Sequence, residues 1–196
     1  MKKILLIAAA AIVSFSASAQ NLKFAHVNYT ELVQLMPEAD QARTALAASS
    51  KEAEETFQGM YEEYQNKLTQ YQQKAESWTA AVRQSKEKEL TDIQTRLQEF
   101  QQTIQQELQQ QQNQLMAPIQ QKAVQTVEKL AKDGGYIYVF ETGSLLYIDT
   151  KQSTDLTPAA RKALNIPDGR TLESLQAELS KVCHSSLGRK SATANL

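Results

Sequence analysis

The chain has 196 residues, of which 21 are Lys or Arg and 22 are Asp or Glu, so its formal net charge is −1. This near-neutral balance excludes a general nucleic-acid-binding protein, which needs clustered positive charge to displace counterions from phosphates. The single cysteine, Cys183, excludes a disulfide framework within one chain; we expect an inert thiol there, with a bridge between two chains as the alternative.

The first residues, 1–19, have the features of an export signal peptide. Two lysines precede an apolar stretch over 4–13, and Ala17-Ser18-Ala19 is a small-residue cleavage motif. The apolar stretch is too short to remain as a membrane-spanning helix. We therefore predict cleavage after Ala19 and a periplasmic mature chain, whose net charge is −3 from 19 basic and 22 acidic residues. A buried N-terminal helix is the alternative.

The mature chain then begins a small α+β body, predicted over 20–37 and again over 134–166. A short extended segment from Lys23 to Tyr29 carries several apolar side chains and predicts the first strand of this body.

Residues 38–133 predict a long helical arm. This stretch holds one glycine, Gly59, and one proline, Pro118, and most of its other residues lose little rotamer freedom in a helix. Apolar residues recur in steps of three and four as a narrow stripe, which is the coiled-coil pattern and requires a partner helix. The first series is Leu46, Ala53, Phe57, Met60, Tyr64, Leu68, Tyr71, Ala75, Trp78 and Val82. The second series is Leu90, Ile93, Leu97, Phe100, Ile104, Leu108, Leu115, Ile119, Ala123, Val127 and Leu130.

The two series fit either one rod of about 140 Å or two helices that fold back on each other. We predict an antiparallel coiled-coil hairpin, because the stripe shifts phase and Ser85 is a good N-cap residue followed by charged residues. The turn is predicted between Ala80 and Lys86, which gives two arms of roughly 65 Å.

Three features of the arm predict local weakness. Pro118 removes a helical hydrogen bond and is expected to kink the returning helix, whereas Gly59 softens the outgoing one. The segment 98–114 is rich in glutamine, which we interpret as the solvated face of a helix, with low-complexity disorder as the alternative. Gln111 and Gln112 interrupt the apolar stripe.

After the arm, Gly134-Gly135 predicts the end of the returning helix. Residues 136–140 and 145–148 are rich in aromatic and β-branched side chains, and the turn-forming residues 141–144 between them predict a β-hairpin. Both strands are apolar on both faces, so the sheet is expected to be covered on both sides.

The end of the chain predicts further short helices. Thr157 followed by Pro158 is a typical helix start, and this helix is expected to run to about Leu164. In the C-terminal extension, 167–196, a second amphipathic piece follows a Thr171 cap, and the chain from Ser185 onwards is expected to be unstructured.

The predicted strands are too few and too apolar for a stable isolated sheet, because their edges are exposed. Oligomerisation is the physical remedy, so we predict an α+β fold with a small β-barrel-type body assembled from several chains. The body strands supply the predicted oligomer interface, which consists of Phe24, Val27, Ile137, Val139, Leu146 and Ile148.

No catalytic or ligand-binding constellation is recognisable in the sequence. His26, His184 and Cys183 do not have zinc-ligand spacing, and His26 is expected to be a packed, hydrogen-bonded strand residue. Ser85 begins an S-x-x-K pattern, but a coiled-coil tip offers no enclosure for a base and oxyanion donors. We therefore predict a protein that is not an enzyme and that holds no metal and no cofactor.

The order of these segments resembles the Skp/OmpH family of periplasmic chaperones. The resemblance covers about 23–166 and is carried by the first strand, 23–28, the following segment Glu31-Leu32-Val33-Gln34, which is helical in the family, and the closing segments 122–133, 136–149 and 155–166. It implies a homotrimer in which three chains build a β-barrel body and three helical tentacles surround a cavity. It also implies that unfolded outer-membrane proteins are held in that cavity.

The far part of the arm departs from the family pattern, in which the tips are strongly basic. Residues 62–104 contain six basic and seven acidic side chains. A membrane surface thus remains a partner that the resemblance implies, but these tips do not favour binding to lipopolysaccharide.

We predict an ATP-independent holding chaperone, since flexible arms around an aggregation-prone client provide many weak contacts. Tyr61 lies off the apolar stripe and is a candidate client contact; an ordinary solvent-exposed tyrosine is the alternative. The rival hypothesis is a structural adaptor or spacer of the cell envelope that uses the coiled coil to hold folded partners.

Overall fold

The computed structural model describes residues 22–181. The predicted signal peptide, Cys183, His184 and the predicted unstructured end lie outside the described residues. Within this range, none of the helices combines the length and the apolar character that crossing a bilayer requires.

The body is built on a three-stranded parallel sheet. Strand β1 (Lys23–Val27) lies in the centre, with β2 (Tyr136–Glu141) on one side and β3 (Ser153–Asp155) on the other. The register pairs Ala25 with Val139 of β2 and with Thr154 of β3. The sheet therefore pairs residues more than 100 positions apart in the sequence, and the arm is an insertion between β1 and β2.

The predicted β-hairpin of 136–140 and 145–148 is wrong. β2 forms as predicted, but a 3₁₀ turn (Thr142–Ser144) follows it, and residues 145–148 belong to no strand. The chain instead crosses to the far side of β1 and forms β3, where the backbone around Asp149 makes the turn by accepting from Gln152 N at 3.0 Å and Ser153 N at 2.9 Å. A neighbour parallel to β1 cannot be reached by a tight hairpin.

Two short helices and the body ends of the two arm helices pack around the sheet. They are α1 (Tyr29–Leu35), the first turns of α2 (Pro37–Lys74), the last turns of α3 (Ala80–Gly134) and α4 (Thr157–Ala163). The hydrophobic core lies where these elements meet. It contains Ala25, Val27, Leu32, Val33, Leu35, Met36, Ala39, Ala42, Ile119, Ala123, Leu156, Ala160, Leu164, Ile166 and Leu175.

The predicted glycine stop of the returning helix is confirmed, and the two glycines act differently. Gly135 has a left-handed backbone with φ of 68° and caps α3, a conformation in which a Cβ is strained. Gly134 has no such strain, but a Cβ there would lie 2.2 Å from Cε2 of Tyr136. Gly135 therefore favours glycine because of its backbone, whereas a larger residue at Gly134 requires the Tyr136 ring to move.

Thr157 is the first helical residue of α4 and not its N-cap as predicted. The cap is Leu156, which makes no side-chain capping bond, and Oδ1 of Asp155 accepts from Thr157 N at 2.8 Å. The Thr157 hydroxyl instead accepts from Asn28 N at 2.9 Å and so joins α4 to the end of β1. Sequence pattern found the helix start but could not show that a distant backbone group uses the hydroxyl.

The arm folds back on itself as predicted, but the turn lies earlier than predicted. α2 passes into a 3₁₀ turn (Ala75–Ser77), and α3 begins after Thr79, whose hydroxyl accepts from Val82 N at 3.4 Å. Ser85 is consequently an interior residue of α3 and not a cap. The edge-on contact between Tyr71 and Trp78, at 6.0 Å between ring centroids, packs the turn against α2. α3 continues as one helix through Pro118.

Candidate functional site

The arm is held together by the narrow apolar seam that the sequence predicts. Every residue of the two predicted series is at least partly buried, apart from Val82 beside the tip. Full burial is reached at Ile93, Ile119 and Ala123 only, among the described residues of α3. The seam is thus thin along most of its length, because two helices alone leave each seam side chain accessible from two sides.

Polar contacts across the arm fix its antiparallel register. Gln94 donates to the Tyr64 hydroxyl at 2.7 Å, and Nζ of Lys67 lies 3.2 Å from Oε2 of Glu89. Lys86 also donates to Glu89, and these hydrogen bonds, from Lys86 first and then from Lys67, lower the pKa of the Glu89 carboxyl. The pairs lie at the arm surface, so each is worth little singly, but together they specify which residues of the two helices meet.

The seam opens where glutamine was predicted to interrupt it. Gln111 is half-buried and donates to the Ser49 hydroxyl at 2.9 Å across the two helices. A cleft of about 440 Å³ lies next to this bond. Apolar side chains line it together with two carboxylates, the residues being Ala53, Phe100, Ile104, Leu108, Glu52 and Glu107. The side chains of the two helices therefore do not fill the seam completely at this point.

Tyr61 projects from the arm surface with 44% of its area exposed. Its ring stacks on Phe57 at 6.5 Å between centroids, and its hydroxyl accepts from Gln65 at 2.9 Å. Its place outside the seam agrees with the sequence, and its contact with a client stays a prediction.

One face of the body sheet is apolar and, among the described residues, is covered only in part, by the loop that follows β2. On this face Phe24 stacks on Tyr138 at 6.4 Å, and Tyr138 lies 6.0 Å from Phe140. Tyr138 is 60% exposed and Phe140 is also exposed. The loop after β2 adds Leu145, Leu146 and Tyr147. We call the six exposed residues Ile137, Tyr138, Phe140, Leu145, Leu146 and Tyr147 the apolar body surface.

The opposite face of β2 is covered by the arm. Val139 is half-buried against the core, and a groove of about 390 Å³ lies between it and the returning helix, lined by Val124, Val127 and Ala131 among others. At the rim, Glu141 accepts from Tyr29 N at 2.7 Å. Burial first and the Glu141 charge second raise the pKa of the Tyr29 phenol. Cover on both faces was predicted, and the chain itself supplies it on one.

The predicted interface residues divide between these two sides. Ile137 and Leu146 are exposed, whereas Phe24 and Ile148 are half-buried. Val27, only 3% exposed, belongs to the protomer's own core and is thus not available to a second chain. Val139 packs against that core as well.

Sequence reasoning missed Tyr138, Phe140 and Tyr147 as exposed members of this surface. It treated the strands as apolar on both faces, but it could not tell which alternate set the arm covers. That depends on how α3 crosses the sheet, which no local pattern records.

Among residues 22–181 no cluster of three or more His, Cys, Asp or Glu side chains has the arrangement of a metal site. The predicted packing of His26 is confirmed, since it is buried and its Nδ1 lies 2.8 Å from the Ser153 hydroxyl. Ser85 lies exposed on α3.

Comparisons with known proteins agree with this architecture. The profile of a family described as "Outer membrane protein (OmpH-like)" matches residues 23–164. A relative from Yersinia enterocolitica, "Chaperone protein Skp", is 28% identical over 146 residues, which is 72% of this chain and 85% of that protein. The matched segment contains the sheet, the arm and α4, so the likeness includes both the body and the arm.

Proposed function

The chain belongs to the OmpH-like family, and from that premise we propose that it is an ATP-independent holding chaperone of the periplasm, which works as a homotrimer. Its clients are unfolded outer-membrane proteins. The observation that carries the proposal is the combination of a long two-helix arm with a body whose apolar face is left largely exposed by residues 22–181.

The apolar body surface supports assembly. Burying a large apolar side chain stabilises an interface by about 1.5–3 kcal/mol, and six such side chains are exposed on β2 and the loop after it. β2 is also an edge strand, because the sheet order is β2-β1-β3. Its free backbone groups invite pairing with another chain. The apolar segment 145–148 has no strand partner within the described part of the chain, so we assign it to the β2 edge of a neighbouring copy.

A closed ring of copies covers every such strand edge, whereas a dimer joined through one edge leaves another edge exposed. Three copies is the number that the family resemblance implies. In this assembly each protomer contributes one arm, and the arms enclose a common space.

The arm surface supports the holding of an unfolded client and not an active refolding step. Its outer face carries glutamine and charges of both signs with isolated apolar groups such as Tyr61. Outer-membrane strands alternate polar and apolar residues and aggregate readily when unfolded. Many weak contacts inside one enclosed space give useful retention while each contact stays short-lived. Release then follows from the client's more favourable folding in the membrane, without nucleotide, metal or cofactor.

The balanced charge of 62–104, six basic and seven acidic residues, bears on the membrane as a partner. Attraction to an anionic membrane surface depends on clustered Lys and Arg. We therefore propose that the arms contact protein clients and do not anchor to lipopolysaccharide.

Two measurements test the proposal on the mature chain that begins at residue 20. Sedimentation velocity should give an elongated particle of three protomers, and light scattering should show that the protein suppresses aggregation of a urea-unfolded outer-membrane protein on dilution, with and without ATP. A compact monomer, or undiminished aggregation at a molar excess of trimer, contradicts it. The adaptor hypothesis predicts instead that the protein retains folded, specific partners and leaves the aggregation unchanged.

A further inference from the structure

The segment 167–181, which we call the strap, lies beyond the family match and packs back on the base of the arm. It contains helical backbone over 172–181. Thr171 and Ser174 begin this helix with reciprocal bonds, since Ser174 N donates to the Thr171 hydroxyl at 3.1 Å and Thr171 N donates to the Ser174 hydroxyl at 3.0 Å. A helix with such a defined start is a built element of the fold and not a loose tail.

Apolar burial attaches the strap to the body core. Leu175 is buried in the same cluster as Ala39, the third residue of α2, and Leu164, at the end of α4. Leu172 packs against this cluster from one turn earlier. The strap therefore takes part in the core at the point where the outgoing arm helix leaves the body.

A chain of charged contacts adds a direct connection to the arm. The Arg170 guanidinium lies 2.6 Å from Oδ1 of Asp40, which is in the first turn of α2 and also pairs with Arg43. Arg161 of α4 donates to the Arg170 carbonyl at 2.6 Å and pairs with Glu31 of α1. The Arg161 and Arg170 side chains are about four-fifths buried, so these contacts are shielded more than ordinary surface pairs.

We propose that the strap fixes the angle at which the arm leaves the body. A helical arm pivots at its root, and the strap contacts α2 within one turn of that root while the same strap residues, Arg170 and Leu175, also contact α4. On the function proposed above, the same device limits how far the arms spread and hence the space offered to a client. The alternative is that the strap only adds stability to the core.

Distance measurements by pulsed electron spin resonance separate these two roles. Spin labels are placed at Gln34→Cys on α1 and at Gln98→Cys on the arm, both of which are exposed positions, in a Cys183→Ser background. Unlabelled protein is added in excess so that each particle holds one labelled chain at most. Gln98 lies about 35–40 Å from the root of the arm, so a 5° change in the angle between arm and body moves its label by roughly 3 Å.

Arg170→Ala and Leu175→Ala should shift or broaden the distance distribution by about 3 Å or more. The control Glu173→Ala, on the exposed side of the same helix, should leave it unchanged. Unchanged distributions in Arg170→Ala, with helix content intact by circular dichroism, overturn the proposal, as does an equal change in the control. Should the wild-type protein fail to suppress client aggregation while the distances respond as expected, the chaperone function falls and the strap's mechanical role stands.

Discussion

Leu146→Asp tests the assembly at the residue with the least attachment to its own chain. The Leu146 side chain is fully exposed in the protomer, so replacing it removes no packing within the chain. In the assembly it would be buried, which is worth about 1.5–3 kcal/mol per copy. Three equivalent copies therefore lose roughly 4.5–9 kcal/mol, before the added cost of burying a carboxylate.

Every 1.4 kcal/mol is a tenfold change in an equilibrium constant, so the trimerisation constant should fall at least about 1,000-fold. Native mass spectrometry and sedimentation over a concentration series measure this fall, and far-UV circular dichroism shows that the protomer keeps its helices. Aggregation suppression should decline in parallel, because a single arm encloses no space.

The matched control is Val82→Asp, which places the same charge at an exposed apolar residue beside the arm tip. It should leave the mass unchanged. If Leu146→Asp has the mass of the wild type throughout the dilution series, then segment 145–148 is not at the interface and the reasoning from the apolar body surface is refuted.

Three further changes act within the protomer, and each is measured by urea unfolding. Gly135→Ala should lower the free energy of unfolding by about 1–2 kcal/mol because its left-handed backbone strains a Cβ. Its control Gly59→Ala, in open space inside α2, should raise the free energy of unfolding by about 0.4–1 kcal/mol. Equal changes in the free energy of unfolding in the two variants would refute the argument. Ile93→Ala should cost about 2–5 kcal/mol in the arm, since Ile93 is 2% exposed, and a loss below 1 kcal/mol would show that the distal seam is not packed. The hydrogen bond from Lys122 lowers the pKa of the Glu38 carboxyl below its ordinary value of 4.5. The ion pair therefore stabilises the fold by about 0.2–1 kcal/mol, as expected for such an accessible pair, above pH 4.5, and this stabilisation disappears as the pH falls through the lowered pKa. Glu38→Gln should lack this part of the acid dependence, and a pH profile of unfolding identical to that of the wild type would contradict the assignment.

The arm was predictable from the sequence because its structure is periodic and local. A two-helix seam repeats every three or four residues, and the phase shift between the two series indicates that the helix turns back. The position of the turn was predicted wrongly because Ser85 is a good N-cap residue and is followed by charged residues that are typical of a helix start. The actual start depends on Thr79 and on the packing of Trp78 against Tyr71, which is a contact between a turn residue and the outgoing helix.

The body was less predictable because its contacts are distant in the sequence. Both neighbours of β1 in the sheet come more than 100 residues later in the sequence. Strand propensity alone predicts neither whether strands pair in parallel nor their order in the sheet. Residues 145–148 have the compositional features of a strand, yet they form no strand pairing within the described residues 22–181. The predicted oligomer interface stays a prediction, and the sequence pattern could not show that Val27 is buried in the protomer's own core.

The body and the arm are mechanically connected through α3. Its last turns, around Val127 and Ala131, lie beside Val139 on one face of β2, while Tyr138 and Phe140 face outward on the other. In the assembly proposed above, a copy docked on the outer face contacts a strand whose inner face rests on the returning arm helix. Because a close-packed core has few voids to absorb a displacement, the position of the neighbouring copies would then constrain where each arm emerges. In that assembly β2 both joins the copies and supports the arm.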